Sequence, residues 1–185
     1  MDADLHERKK QLRKSVTAQV KALSLPYRSA AGERIQSKLL SLPEYKQAER
    51  IFVYVNMPTE PETGRVIRQA LADGKCVCVP KCITKTDMLA VRIRSTDQLQ
   101  PGAYGILEPI DCTETLGPEA FDLIVVPCVA ASADGRRLGH GAGYYDRFLS
   151  RSGGKTVCLC FQTAIRADIP VDENDIRMYR VLSEE

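Results

Sequence analysis

Phe121-Asp122-Leu123-Ile124-Val125-Val126-Pro127, followed by Gly135-Arg136-Arg137-Leu138-Gly139-His140-Gly141-Ala142-Gly143-Tyr144-Tyr145-Asp146-Arg147-Phe148, is the part of the chain from which the fold can be read. The first run is short and apolar, the pattern of a buried strand. The second is a glycine-rich loop that leads into a helix expected from Tyr144 to Ser150. Strand, glycine loop and helix in this order let free backbone amides and a helix N-terminus meet an anion. Glycine at positions 139, 141 and 143 lets the backbone adopt positive φ and pass close to a ligand. Arg136, Arg137 and His140 are expected to add charge at the same place. No Gly-Lys-Ser/Thr follows, so the loop is not of the Walker type.

Outward from this stretch, strands alternate with helices. Leu5, Leu12, Val16, Val20 and Leu23 repeat near the helical period, predicting an amphipathic helix from Leu5 to Leu23. Lys9 falls inside its apolar stripe and Arg13 at the edge. Two accounts stand: the cations snorkel to solvent, or the helix packs with this end over a phosphate site. A second helix is predicted from Tyr27 to Leu42, stopped by Pro43. Arg50 to Val55 reads as a central strand, and a helix through Val66, Ile67, Ala70 and Leu71, closed by Gly74, leads to a strand at Cys76 to Pro80. That β-α-β unit should be right-handed with parallel strands. Met88 to Ile93 is expected as an added antiparallel strand, Tyr104 to Pro109 as an extended piece, and Thr156 to Phe161 as the last central strand. The fold class is α/β: one layered domain over residues 1–185, with a mostly parallel central sheet flanked by helices. In such sheets ligands gather at the carboxyl ends of the strands. The segments Met57 to Glu62, Pro127 to Asp146 and Gln162 to Asp175 should all arrive there.

Composition narrows the function. In 185 residues, 44% hydrophobic and 27% charged, there is no run long enough to cross a bilayer, and the acidic N-terminus is unlike a secretory or mitochondrial leader. A net charge of +2 argues against a nucleic-acid binder. Seven cysteines without small-scaffold spacing suit reduced thiols in the cytosol. Cys76, Cys78 and Cys82 could be imagined around zinc, but no Cys-x-x-Cys pair supports it. Glu60 and Glu62 lie in a strand-end loop, where a carboxylate can face a ligand or simply be solvated. Asp146 suits the first turn of a helix, and equally a magnesium ion beside phosphates. Asp172, Glu173 and Asp175 crowd one turn and could complete such a site. Of Tyr144 and Tyr145, one is expected to pack and the other to cover an aromatic ligand. His140 has the character of a surface histidine.

Arg137-Leu138-Gly139-x-Gly141-x-Gly143-Tyr144-Tyr145-Asp146-Arg147 resembles the signature of the 5-formyltetrahydrofolate cyclo-ligase family, also called 5,10-methenyltetrahydrofolate synthetases. A plain glycine turn would account for the glycines but not for Arg137, Tyr144, Tyr145 and Asp146 together. Weaker matches extend the resemblance over most of the chain: Lys9 to Arg13, Met57 to Thr63, Tyr104 to Pro109, and Asn174-Asp175. The resemblance implies ATP- and Mg2+-dependent closure of 5-formyltetrahydrofolate to 5,10-methenyltetrahydrofolate, releasing ADP and phosphate. It implies ATP contacts from Lys9, Arg13, Arg137, Leu138, Gly139, His140, Gly141, Ala142, Gly143, Tyr144 and Tyr145. Folate would meet Val55, Met57, Glu60, His140, Gly141, Ala142, Gly143 and Tyr144. Arg137 and Tyr144 are the catalytic candidates, and Asp146 and Asp175 the magnesium ligands. His140 and Ala142 stand where some members carry Arg and Lys, which shifts phosphate neutralisation onto Lys9, Arg13, Arg137 and the metal. The expected protein is a cytoplasmic monomer whose partners are 5-formyltetrahydrofolate and ATP, with no nucleic acid and no membrane. A non-catalytic nucleotide-binding regulator and a sugar-phosphate isomerase are the competing readings.

Overall fold

In the computed structural model, which describes residues 3–102 and 105–185, the chain runs α1 (Ala3–Ala22), α2 (Leu25–Ser41), α3 (Pro43–Gln47), β1 (Arg50–Val53), α4 (Gly64–Ala72), β2 (Cys76–Cys82), β3 (Met88–Ile93), β4 (Leu99–Pro101) and β5 (Leu107–Pro109). It continues with β6 (Thr115–Leu116), β7 (Leu123–Val126), β8 (Ala130–Ala131), β9 (Arg137–Leu138), α5 (Tyr144–Leu149), β10 (Lys155–Leu159) and β11 (Arg180–Leu182). Seven strands form one sheet in the order β11-β10-β7-β1-β2-β3-β6. From β11 to β2 all neighbours are parallel, and β3 and β6 are added antiparallel beyond β2. This is the mostly parallel α/β sheet that the alternation of periods predicts.

Burial explains which strands are central. Ile51, Phe52 and Val53 of β1 and all four residues of β7 are inaccessible to solvent. Strands covered on both faces are continuous apolar runs, and each such side chain contributes about 1.5–3 kcal/mol by leaving water. Pro80 is tolerated in β2 because β1 pairs only as far as Cys78, so the proline lies beyond that neighbour's reach.

From β1 the chain crosses through α4 to β2 on one side; from β7 it crosses through α5 to β10 on the other. Right-handed crossovers in opposite directions put α4 and α5 on opposite faces of the sheet. Phe52 stacks on Phe148 of α5 with ring centroids 4.7 Å apart, which assigns Ile51 and Val53 to the α4 side. The carboxyl ends of β1 and β7 thus part company, leaving the crevice in which open α/β sheets bind ligands.

Some expectations change. Pro43 does not only stop a helix: α2 ends at Ser41 and Pro43 begins α3, because a first-turn proline loses no helical hydrogen bond. Pro26 likewise stands in the first turn of α2, behind a Ser24 cap whose hydroxyl accepts from the Tyr27 amide at 3.3 Å. The glycine loop does not follow β7 directly, since a small hairpin, β8 with β9, stands between them. Of the expected extended piece at Tyr104 to Pro109, Leu107–Pro109 pairs with β4 while Tyr104 lies outside the described residues.

Candidate active site

The loop after β1 and the glycine loop after β9 meet across the crevice through Glu60 and His140. Glu60 is buried; its Oε2 accepts from the Met57 amide at 2.7 Å, and its Oε1 lies 2.8 Å from His140 Nε2. His140 thus meets Glu60 across the crevice, while its side chain keeps 42% exposure. Val55 and Met57 are half-buried in the same loop. Glu62, the other loop acid, faces solvent.

The glycine loop is shaped by its own residues. Gly141 and Gly143 adopt φ of +102° and +70°, which an L side chain rarely takes. Gly139 is not in that region. Its lack of a side chain serves another end, because an added Cβ would stand 2.9 Å from the Arg137 guanidinium. Leu138 is buried in β9 and packs rather than facing outward.

Arg136, just before β9, and Arg137, its first residue, go to different partners. Arg137 turns inward, nearly inaccessible, with Nη2 2.7 Å from Asp146 Oδ1 and Nη1 3.3 Å from the Pro127 carbonyl. Arg136 turns away to Asp134 and Asp168, so the charge it was expected to bring to the loop is neutralised elsewhere. Tyr145 is the packing tyrosine. Its ring tilts against Phe52, the Arg137 guanidinium lies 5.9 Å from its centre, and its hydroxyl is buried without a partner, as is Arg137 Nε. Two orphaned buried polar groups, each costing about 1–3 kcal/mol, are tolerated where function requires them. Burial first, then nearby Glu60, holds the Tyr145 phenol well above its usual pKa, so it stays a neutral donor. Tyr144 is half-exposed and donates to the Thr84 carbonyl at 2.7 Å.

The first helix lies across this edge. Lys9 does not snorkel: its ammonium is buried between Asp172 at 2.7 Å and Asp175 at 2.5 Å. Arg13 donates from Nε to the Gly139 carbonyl at 2.8 Å, tying α1 to the glycine loop. Beside Arg13 lies an open groove, lined by Arg13, Lys14, Thr17, Ala18 and Lys21 of α1 and by Val129 and His140 opposite. Its three cations suit an anion. Lys14, Thr17 and Lys21 carried no motif and escaped the sequence reading.

The segment that carries Asp175 reaches Asp146, for the amide of Ile176 donates to Asp146 Oδ1 at 3.3 Å. Both protein bonds of Asp146 fall on Oδ1, and both of Asp175, from Lys9 and the Asp172 amide, on Oδ2. Among the described residues no group of three or more His, Cys, Asp or Glu gathers as a complete cage. Two hard carboxylates, each with one oxygen outside these bonds, are nevertheless the donor set that magnesium takes when phosphates and water complete its shell. Cys76, Cys78 and Cys82 form no such cluster either.

An open, mostly parallel α/β sheet with a basic groove beside its glycine loop is an architecture in which small anionic molecules bind. The model of the 5-formyltetrahydrofolate cyclo-ligase family matches residues 5–184. The mouse 5-formyltetrahydrofolate cyclo-ligase is 30% identical over 96% of this chain and 94% of its own, and that of Escherichia coli K12 is 26% identical over 88% and 93%. The NMR structure of Aquifex aeolicus 5,10-methenyltetrahydrofolate synthetase superposes with a TM-score of 0.85 at 33% identity, covering 96% of this chain and 90% of that one. The chain belongs to the 5-formyltetrahydrofolate cyclo-ligase family.

Proposed function

We propose that this enzyme closes 5-formyltetrahydrofolate to 5,10-methenyltetrahydrofolate at the expense of ATP, with magnesium, in the cytosol and as a monomer. The observation that carries the reading is the convergence of Lys9, Arg13, Arg137, Asp146 and Asp175 on one edge of the sheet, beside the Glu60–His140 contact. In the reaction the formyl oxygen attacks the γ-phosphorus and ADP leaves with the bonding pair. N10 then attacks the same formyl carbon and loses its proton, and the C–O bond breaks as phosphate departs with the former formyl oxygen. The protein's work is in-line positioning and charge neutralisation, for which no covalent nucleophile is required.

Arg13 and Arg137, with Lys9 behind them, face the polyphosphate. Glu60 accepts from the paired donors of the pterin, with His140 beside it, and the glycine loop from Gly139 to Gly143 lets the two substrates approach. Tyr144 covers the folate ring. Asp146 and Asp175 would hold magnesium, which supplies neutralisation of the charge that moves onto ADP. The cations that hold these carboxylates, Arg137 and Lys9, lie next to the phosphates they would meet, so entry of the metal nucleotide exchanges one set of ion pairs for another.

The test is absorbance of the methenyl product when the protein meets ATP, magnesium and 5-formyltetrahydrofolate. Product that requires all three supports the reading. Tight nucleotide binding with no product would instead favour a non-catalytic nucleotide-binding regulator.

A further inference from the structure

The tip of the β2–β3 hairpin, residues 83–87, is held against the glycine loop by contacts that the proposed chemistry does not use. Arg147 donates from Nε and Nη2 to the Thr86 carbonyl at 3.0 and 2.8 Å, and from Nη2 to the Ala142 carbonyl at 2.7 Å. One turn earlier on the same helix, Tyr144 donates to the Thr84 carbonyl at 2.7 Å, and the guanidinium lies 5.6 Å from the Tyr144 ring centre. Gly143 makes room for this, since a Cβ there would stand 2.6 Å from Arg147 Nη1. The tip is a preformed unit: Thr84 and Thr86 hydroxyls both donate to Asp87, at 2.6 and 2.9 Å, and the Ile83 amide donates to the Asp87 carbonyl at 3.0 Å. These bonds, that of Thr84 first, hold the Asp87 carboxyl below its usual range.

An exposed arginine usually offers its fork to a carboxylate. Here it joins two backbone carbonyls from separate segments, one of them in the loop that meets the substrates. Arg13 pins the same loop from the other side through Gly139, so two guanidinium groups fix both ends of the Gly139 to Ala142 arc. We propose that Arg147 is a positioning residue that straps the β2–β3 tip over the glycine loop and keeps water from the phosphorylated formyl intermediate. The inference rests on the cyclo-ligase reading, because only a hydrolysable intermediate makes exclusion of water matter. If water enters, it attacks the phosphorylated intermediate, phosphate leaves, a proton is released, and 5-formyltetrahydrofolate is regenerated. ATP is then spent without ring closure.

The experiment compares ADP with methenyl product for wild type, Arg147→Ala and Arg147→Lys at saturating substrates. Wild type should form equal amounts of the two. Arg147→Ala should form roughly twofold or more ADP over product, and Arg147→Lys an intermediate excess, since lysine keeps the charge but cannot span two acceptors as a rigid fork. A role confined to stability would lower both products together, so an unchanged ratio in Arg147→Ala overturns the proposal even if turnover falls. Hydrogen exchange at residues 83–87 of the resting protein gives a readout free of catalysis. Exchange should quicken in Arg147→Ala, and unaltered exchange overturns the strap. Should wild type form no methenyl product at all, the functional reading fails, and the exchange result still decides whether Arg147 holds the tip.

Discussion

Asp146 is a first-turn carboxylate, a partner for Arg137 and a proposed metal ligand, and the three duties separate in one variant. The dipole contribution of such a carboxylate is about 0.3–1 kcal/mol. Its ion pair is worth more to the folded state, because Arg137 is almost fully buried while Asp146 keeps 23% exposure. Removing the charge in Asp146→Asn should therefore destabilise toward the lower end of the roughly 3–5 kcal/mol of a broken buried pair, reduced by the solvent that already reaches the carboxylate. Turnover should fall by orders of magnitude and recover in part at high magnesium. Urea unfolding and a magnesium titration of activity read the two effects separately, and full activity at limiting magnesium would refute the metal role. At this scale the motif Arg137 to Asp146 was legible in the residue types themselves. The opposite fates of Arg136 and Arg137 were not, because they depend on the partners Asp168 and Asp146 that the fold brings to each.

The turn from Asp172 to Asp175 and helix α1 are joined through Lys9, and this link should be visible in the pH dependence of stability. The hydrogen bond from Lys9, joined by that of the Asn174 amide, holds Asp172 below the usual carboxylate range. Burial works against the Lys9 charge, but its bonds to Asp172 and Asp175 prevail and raise its pKa. A lowered carboxylate contributes stability that is present above its unfolded pKa of about 3.9 and lost as pH falls through the folded value. A raised lysine contributes stability present below about pH 10.4 and lost as pH rises through its folded value. Unfolding free energy should then form a plateau between these limits. Asp172→Asn should flatten the acid limb and Lys9→Met the alkaline one, as urea melts across pH would measure; an acid limb unchanged in Asp172→Asn would show that the pair contributes nothing. The helical period predicted α1 and marked Lys9 and Arg13 as misplaced cations. Which partners resolve the misplacement could not be read locally, for Asp172 stands 163 residues away in sequence.

At the scale of the whole molecule, the site exists because the loop after β1 and the glycine loop after β9 are pressed together by a helix from the other end of the chain. A ligand that contacts all three binds only the folded protein and should stabilise it. With magnesium–ATP near a hundred times its dissociation constant, that one site adds about 2.7 kcal/mol, roughly 5–10 °C in melting temperature for a chain of this size. A thermal melt checks this, and the absence of any shift would count against a binding site at this edge. By itself the sequence determined the alternation of strands and helices, the parallel β-α-β unit, and the glycine loop with its arginine, tyrosines and aspartate. Those are properties of hydrophobic period and residue type, carried by segments only a few residues long. Tertiary structure alone decided the strand order, and with it the crevice between β1 and β7, the Glu60–His140 contact, the burial of Lys9 and the strap held by Arg147. These depend on pairings between distant segments, where apolar burial supplies the energy and polar groups must find partners once buried, and no local pattern records the partner.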